Sequence, residues 1–135
     1  MRFVDTNILL YAVSTSPAEA TKFERAVALL NEPDLALSVQ VLQEFYVQAT
    51  RSSRPSALNH DEATSLIRAW TRFPVQPVTF EIVSAALDAK VRWRVSYWDA
   101  AIIEAARALR CDVLLSEDLK HGQSFDGVRV INPFR

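Results

Sequence analysis

The sequence predicts an α/β domain in which a mostly parallel sheet is covered by helices on both faces. Short apolar runs typical of buried strands alternate with segments of helical periodicity, which is the pattern of βαβ units. Two of these runs, 3–4 and 113–115, end abruptly in polar and acidic residues. Strands of this kind deliver side chains to the carboxyl edge of a parallel sheet. With 135 residues, the chain has the size of one domain, and we expect a single domain over residues 1–135.

The composition is that of a compact globular protein. Half of the residues are hydrophobic and only two are glycine, which argues against disorder. A formal net charge of −1 gives no general field that attracts nucleic acid, so a polyanionic substrate would need a local basic patch or metal ions. The one cysteine, Cys111, cannot form an internal disulfide, and we see neither a signal-peptide pattern nor a membrane-length apolar run. We therefore expect a cytoplasmic protein without a membrane partner.

The first half of the chain predicts two strands and three helices. After the strand at 3–4, the run Ser16-Pro17-Ala18-Glu19 has the residues of a helix start, and we expect its apolar stripe at Phe23, Val27 and Leu30. A strand follows at 35–37. Ser38 then caps a helix whose apolar face is Val41, Leu42, Phe45, Tyr46 and Ala49.

The next helix begins at Asn59-His60-Asp61-Glu62 and ends at Pro74, with apolar residues at helical spacing. We expect this helix and the preceding one to form a hairpin arm that presents an aromatic residue to a partner, the candidates being Tyr46, Trp70 and Phe73.

The second half predicts two helices and three strands. Pro77 confines the strand at 75–78 to an edge or a strand end. Thr79 is expected to cap a helix with its apolar face at Ile82, Val83, Ala86, Leu87 and Val91. Ser96 opens a helix with Trp98, Ile102, Ala105 and Leu109 on one face. A strand at 111–115, a polar loop at 119–127 and a last strand at 128–131 complete the chain.

Four acids are predicted to meet at the carboxyl edge of the sheet. They are Asp5, Glu44, Asp99 and Asp118. Converging carboxylates cannot all stay charged unless their pKa values rise or hard divalent cations neutralise them. Because the chain has two histidines and one cysteine, a softer metal site is improbable, and Mg²⁺ or Mn²⁺ is the expected cofactor. Such ions suit phosphodiester cleavage, since they activate water and stabilise charge on the attacked phosphate.

Each of these acids also has a purely structural interpretation. Asp99 sits where a capping box places an acid, Glu44 could be a solvated helix residue, and Asp118 could begin a turn. An acid that ends a buried strand, such as Asp5, is costly without hydrogen bonds or a cation. Thr6, Asn7 and Ser116 are candidate donors that would orient the carboxylates, although each could equally cap a helix or turn.

Four motifs occur in order along the chain: Phe3-Val4-Asp5-Thr6-Asn7, the helix acid Glu44, Tyr97-Trp98-Asp99-Ala100 and Leu115-Ser116-Glu117-Asp118-Leu119. Together with the closing Val130-Ile131-Asn132-Pro133-Phe134, they resemble the motifs of PIN domains. Within that family the chain looks like a VapC-type toxin ribonuclease, and the resemblance runs nearly from end to end.

The resemblance implies a PIN-like three-layer α/β/α fold, a Mg²⁺- or Mn²⁺-dependent endoribonuclease, a homodimer and a VapB-like antitoxin. It makes Asp5 and Asp99 the central metal ligands, with Glu44 and Asp118 completing the acidic site. The division of metal binding between Glu117 and Asp118 stays open, although Asp118 matches the family pattern better. We expect the antitoxin to insert a cation among the acids and to compete with the metal.

Cations for RNA phosphates are available at several positions. The candidates are Arg51, Arg54, Arg92, Arg94 and Lys120, and Trp93 could stack on a base. Helix capping and core packing are competing interpretations of Arg92, Arg94 and Trp93.

Two other functions remain as alternatives. A catalytically weak PIN-like module could bind RNA without cutting it, although such a protein would gain nothing from four converging negative charges. A haloacid-dehalogenase-like phosphatase also begins with an aspartate after its first strand, but that chemistry needs a second acid where this chain has Asn7.

Overall fold

The computed structural model describes all 135 residues and contains six strands and six helices. The strands are β1 (Arg2–Val4), β2 (Leu35–Ser38), β3 (Val75–Gln76), β4 (Val113–Leu115), β5 (Ser124–Phe125) and β6 (Val128–Ile131). The helices are α1 (Thr6–Tyr11), α2 (Ala20–Leu30), α3 (Val39–Ala49), α4 (His60–Trp70), α5 (Phe80–Trp93) and α6 (Tyr97–Ala108), with a short 3₁₀ helix at Pro17–Glu19. None of the six helices combines the length and the apolar character needed to cross a lipid bilayer.

The six strands form one sheet in the order β3-β2-β1-β4-β6-β5. All neighbouring pairs are parallel except β5 and β6, which form an antiparallel hairpin at one edge. Val4 is in register with Leu115, and Leu115 with Ile131. The central strands β1, β4 and β6 therefore end at the same edge, and the residues that follow them are brought together there.

Helices cover both faces of this sheet. The chain runs outward from β1 to β2 to β3 and then returns across the sheet to β4, so its connections run in two opposite directions. Because such connections are right-handed, the helices between β1 and β3 and those between β3 and β4 lie on opposite faces of the sheet. Accordingly α1 packs with α2 and α3, and α3 with α4, whereas α5 and α6 pack with each other and α6 contacts the sheet. The predicted mostly parallel sheet between two helical layers is confirmed.

The core consists of apolar strands between the two helical layers. Phe3, Leu37 and Leu114 from the central strands are fully buried, together with Phe45 of α3 and Ile103 of α6. Strands buried on both faces carry continuous apolar runs rather than alternating patterns, which explains why Leu35–Leu37 and Val113–Leu115 were recognisable in the sequence.

The hairpin arm is confirmed as a pair of packed helices, but its aromatic residues mostly face inward. The Phe45 and Trp70 rings meet edge to face with centroids 4.8 Å apart, and the Tyr46 hydroxyl lies 2.9 Å from Nδ1 of His60. Trp70 and Phe73 are buried, so neither can present its ring to a partner as expected from the sequence.

The sequence analysis missed two elements. Helix α1 begins directly after β1 with Asp5 as its N-cap, where only a polar break was expected. With six residues, α1 is too short to establish a helical periodicity. Strand β5 lies within the predicted polar loop at 119–127 and contains only two residues.

The predicted apolar faces of three helices were partly wrong. Helix α2 buries Ala26, Leu29 and Leu30 and leaves Phe23 38% exposed. Helix α5 buries Ala86 and Ala89, while Leu87 and Val91 are exposed, as is Trp98 at the start of α6. Between α5 and α6 the buried contact is made by alanines alone, and in all three helices a large apolar residue that hydropathy assigns to the core lies outside it.

We expect Phe45→Ala to lower the free energy of unfolding by about 3–5 kcal/mol, because it removes a fully buried ring and leaves a cavity. The matched variant Phe23→Ala, on the exposed side of α2, should cost less than about 1 kcal/mol. Urea unfolding followed by circular dichroism measures both values. Equal losses would contradict the buried face assigned to α2.

Candidate active site

Asp5 is the most enclosed acid of the predicted site. Its backbone N–H donates to the Leu115 carbonyl at 3.0 Å, which continues the β1–β4 pairing by one residue and places the side chain at the carboxyl edge of the sheet. The side chain is only 6% exposed. Oδ1 accepts a 2.7 Å hydrogen bond from the Thr6 N–H, and Oδ2 accepts one of 2.7 Å from the Ser116 hydroxyl.

The electrostatic environment of Asp5 opposes ionisation. The pKa of Asp5 is raised from 3.8 to about 6, chiefly by burial; the nearby Asp118 and Glu44 carboxylates also raise it, whereas the hydrogen bonds from Ser116 and Thr6 lower it. Without a compensating cation, the carboxylate is therefore held in an environment that disfavours its charged form.

Glu44 reaches the site from the second turn of α3. Ser38 caps this helix by accepting a hydrogen bond from the Val41 N–H, and Glu44 lies half-buried beside the apolar face of the helix. The Thr6 hydroxyl donates to Oε2 of Glu44 at 2.7 Å, and Nε2 of Gln40 donates to Oε1 at 2.7 Å. Both carboxylate oxygens are thus fixed in place.

Asp99 lies in the first turn of α6. The helix is capped by Ser96, whose hydroxyl accepts a 3.1 Å hydrogen bond from the Asp99 N–H, so the capping role of this segment is real. The Asp99 carboxyl group is half-buried. Its pKa is raised by burial and by the charges of Asp118 and Glu44, which brings it into the same electrostatic cluster as the other acids.

Asp118 is connected to Asp5 through Asn7. The Asn7 amide nitrogen lies 3.1 Å from Oδ2 of Asp118 and 3.4 Å from Oδ2 of Asp5. The Ser116 hydroxyl also accepts a 3.1 Å hydrogen bond from the Asp118 N–H. The structure therefore links Asp5, Glu44 and Asp118 through the three predicted polar donors. Asp99 is close enough to Asp118 and Glu44 to sense their charges but shares no hydrogen bond with them.

Glu117 points to a different set of partners. Nζ of Lys22 lies 2.8 Å from its carboxylate, and the Tyr11 hydroxyl donates to it at 2.7 Å. Although partial burial acts to raise the pKa of Glu117, these two partners hold it below its usual range. Glu117 is thus neutralised by a cation, whereas none of the four acids of the site has a salt-bridge partner.

The donor chemistry of the site fits a hard divalent cation. Four carboxylates and neighbouring hydroxyl and amide groups supply oxygen ligands, and no positive charge balances them. As the side chains stand, however, no three of the His, Cys, Asp and Glu residues converge closely enough to hold a metal ion by themselves. The site therefore matches a divalent cation in its charge and in the type of its ligand atoms, and not in the present spacing of its side chains.

The predicted RNA-binding cations are scattered. Arg54 donates to the Leu10 carbonyl and lines a cavity of about 360 Å³ that also includes Asn7. Arg51 and Lys120 are exposed, and Arg94 ends α5 in a left-handed conformation. Arg92 lies 3.8 Å from Asp126 in the β5–β6 turn. This turn precedes β6 and so lies at the amino ends of the parallel strands, whereas the acids lie at their carboxyl ends.

Trp93 does not have the free face expected of a base-stacking residue. Its ring packs edge to face on Phe125 at 5.4 Å, and the guanidinium of Arg92 lies over it at 4.5 Å. The exposed tryptophan beside the acids is instead Trp98, at 63%.

Sequence reasoning missed two further groups around the site. Gln40 holds Glu44 and also donates to the Trp98 carbonyl at 3.3 Å, so it links α3 to the start of α6. Its position four residues before Glu44 on one helix face is a signal that could have identified it. The pairing of Lys22 with Glu117 joins segments far apart in the chain and left no such signal.

Solved structures with the same fold match most or nearly all of the chain. A toxin-antitoxin complex from Klebsiella pneumoniae has a chain 20% identical to this one, with a TM-score of 0.72 and 98% of each chain covered. VapC20 from Mycobacterium tuberculosis, a sarcin-ricin loop cleaving toxin, is 22% identical, with a TM-score of 0.64 over 84% of this chain and 87% of its own. VapBC2 from Rickettsia felis, bound to a promoter DNA fragment, is 16% identical, with a TM-score of 0.63 and 96% of each chain covered.

These identities are low enough that the structures show the fold alone. No curated protein matches the sequence. The model of the PIN domain family matches residues 2–123, a span that includes all four acids and most of the sheet. The chain therefore belongs to the PIN domain family.

Proposed function

We propose that this PIN domain is a Mg²⁺- or Mn²⁺-dependent endoribonuclease of the VapC toxin type. The observation that carries the proposal is the group of four acids at the carboxyl edge of the sheet, none of which forms a salt bridge with a Lys, Arg or His side chain. Polar donors orient three of them, Asp5, Glu44 and Asp118. Maintaining such a group without a counter-ion costs folding energy. Its presence is best explained by a function that uses the negative charge.

Asp5, Glu44, Asp99 and Asp118 would hold the metal. A divalent cation bound there would activate a water molecule and stabilise charge on the attacked phosphate. The contribution of the surrounding residues is to orient the carboxylate oxygens. Ser116 and Asn7 direct Oδ2 of Asp5, Thr6 and Gln40 direct the two oxygens of Glu44, and the Lys22 ammonium keeps Glu117 out of the acidic group.

The partners follow from the same proposal. Structural neighbours occur as toxin-antitoxin and VapBC complexes, and we propose a VapB-like antitoxin and a homodimer for this chain, acting on RNA in the cytoplasm. An antitoxin cation placed among the four unpaired acids would compete with the metal. The RNA-binding-only alternative is favoured by one observation, the lack of a closed metal-binding group, and cleavage assays separate the two functions.

The first test is cleavage of a mixed cellular RNA pool by the purified protein. We expect cleavage with Mg²⁺ or Mn²⁺ and none in EDTA. Asp5→Asn and Asp99→Asn should each lower the cleavage rate by more than about 100-fold, because removing a metal ligand should cost more than removing a residue that hydrogen-bonds to a ligand. Asp88→Asn, an exposed acid of α5, is the matched control and should cleave normally.

Full activity of either site variant with saturating metal would contradict the proposed role of these acids. If the folded wild-type protein, free of antitoxin, cuts no RNA with either metal, the RNA-binding-only function becomes the better explanation.

The second test concerns the two adjacent acids after β4. We expect Asp118→Asn to reduce cleavage by more than about 100-fold, because it removes one of the unpaired carboxylates proposed as metal ligands, and the loss of a ligand should exceed that of an outer partner. Glu117→Gln should reduce cleavage by less than about 10-fold, since its carboxylate is occupied by Lys22 and Tyr11. Initial rates measured against metal concentration provide the comparison. The reverse order of effects would assign the metal-binding role to Glu117.

The third test uses the raised pKa of Asp5. An unfolded aspartate ionises near 3.8 and the folded one near 6, so the folded state retains the proton over this interval. The wild type should therefore lose stability as pH rises from about 4 to about 6, by on the order of 2–3 kcal/mol from this group. Urea unfolding in EDTA should show this loss in the wild type and not in Asp5→Asn.

Titrating groups that do not interact with Asp5 contribute equally to both proteins, so the difference between the two curves reports Asp5 together with its coupling to Asp118 and Glu44. Adding Mg²⁺ at neutral pH should stabilise the wild type more than the variant. Parallel curves throughout the interval would show that Asp5 is not held in an environment that disfavours its charge.

A further inference from the structure

A pocket of about 300 Å³ adjoins the Glu44 and Asp99 side of the site, since its residue Gln40 donates to Glu44 and its residue Trp98 directly precedes Asp99. The proposed nuclease mechanism does not use it. It lies between the start of α3, the segment after β3, the first turns of α5 and the start of α6. No residue lining it carries a charge. This volume is at the small end of the range for ligand sites, so the pocket suits one compact, uncharged chemical group.

Trp98 forms the side of this pocket that is nearest to the acids. It is 63% exposed, and its ring meets the Tyr97 ring edge to face at 5.1 Å. Trp98 also lines an adjoining groove that contains Glu44. A group stacked on Trp98 would therefore lie next to the acidic site.

Three glutamine side chains surround the same pocket. Gln40, Gln43 and Gln76 each carry an amide that can donate and accept hydrogen bonds. The amide nitrogen of Gln40 donates to Glu44 and to the Trp98 carbonyl, and that of Gln76 donates to the Pro77 carbonyl. The side-chain carbonyl oxygens of both residues accept no hydrogen bond within the chain. An aromatic face with amides at its rim matches the flat ring and polar edge of a nucleobase.

We propose that this pocket binds one nucleobase of the RNA substrate, stacked on Trp98 and contacted at its edge by the glutamine amides. The inference rests on the proposed nuclease function and adds base recognition to it. A phosphate or a charged peptide would find no counter-charge in the pocket. A second copy of the chain has other exposed apolar residues of α5 available, Phe80, Leu87 and Val91, which do not line the pocket.

RNA binding in EDTA tests the pocket without cleavage. Fluorescence anisotropy of a short labelled single-stranded RNA pool gives the Kd of the wild type, Trp98→Ala, Trp98→Phe and the control Phe23→Ala. We expect Trp98→Ala to weaken binding by roughly 5- to 150-fold, as when a stacked base loses its aromatic platform. Trp98→Phe should retain most of the affinity, and Phe23→Ala, which removes a partly exposed ring of α2 outside the pocket, should match the wild type.

Cut-site mapping in Mg²⁺ provides the second readout. If the pocket reads a base, Gln43→Ala should relax the base preference beside the cut. Unchanged Kd values in Trp98→Ala, no measurable RNA binding by the wild type, or an unchanged cut-site preference would overturn the proposal. So would a fall in the solution molecular mass of Trp98→Ala with the Kd unchanged, since a second copy would then cover the pocket.

The two proposals fail in different ways. Metal-dependent cleavage that does not respond to Trp98→Ala or Gln43→Ala would remove the base pocket and leave the nuclease. RNA binding that depends on Trp98, by a protein that cuts nothing with either metal, would remove the nuclease and leave the pocket.

Discussion

The buried carboxylate of Asp5 constrains the centre of the fold. A charged group that is 6% exposed must be satisfied by hydrogen bonds or a cation. Its donors come from two distant parts of the chain, since Thr6 belongs to the first turn of α1 and Ser116 follows β4. Satisfying this one carboxylate therefore fixes both where α1 begins and how the end of β4 lies beside β1.

Helix α1 extends this constraint to the rest of the site. Thr6 holds Glu44 on α3, and Asn7 reaches both Asp5 and Asp118. Gln40 then connects Glu44 to the backbone at the start of α6, which carries Asp99. Asp5, Glu44 and Asp118 are thus held by side-chain hydrogen bonds from adjacent residues of one short helix and from one glutamine, which opposes their mutual repulsion. The network reaches Asp99 only through the backbone of the preceding residue.

Local hydrogen-bond chemistry explains why much of this arrangement could be predicted from the sequence. The caps Ser38, Asn59, Thr79 and Ser96 each accept the expected backbone N–H, and apolar runs that end in acids identified the carboxyl edge of the sheet. Helix α1 was missed because six residues give no periodic signal. The exposure of Phe23, Leu87 and Trp98 was also missed, because hydropathy does not reveal which helix face a neighbour will cover with alanine contacts.

The charge distribution restricts how this protein can hold a polyanion. The net charge is −1 and the site itself is acidic. Two cations around the site are engaged, Lys22 with Glu117 and Arg54 with the Leu10 carbonyl, and Lys120 is a single exposed cation after Asp118. Long-range attraction of RNA therefore cannot come from the chain's own field. For the proposed nuclease, binding therefore depends on uncharged contacts to the bases, and a divalent cation at the phosphate would strengthen it. The neutral pocket at Trp98 is the part of the surface beside the acids that can supply such contacts without adding to the repulsion.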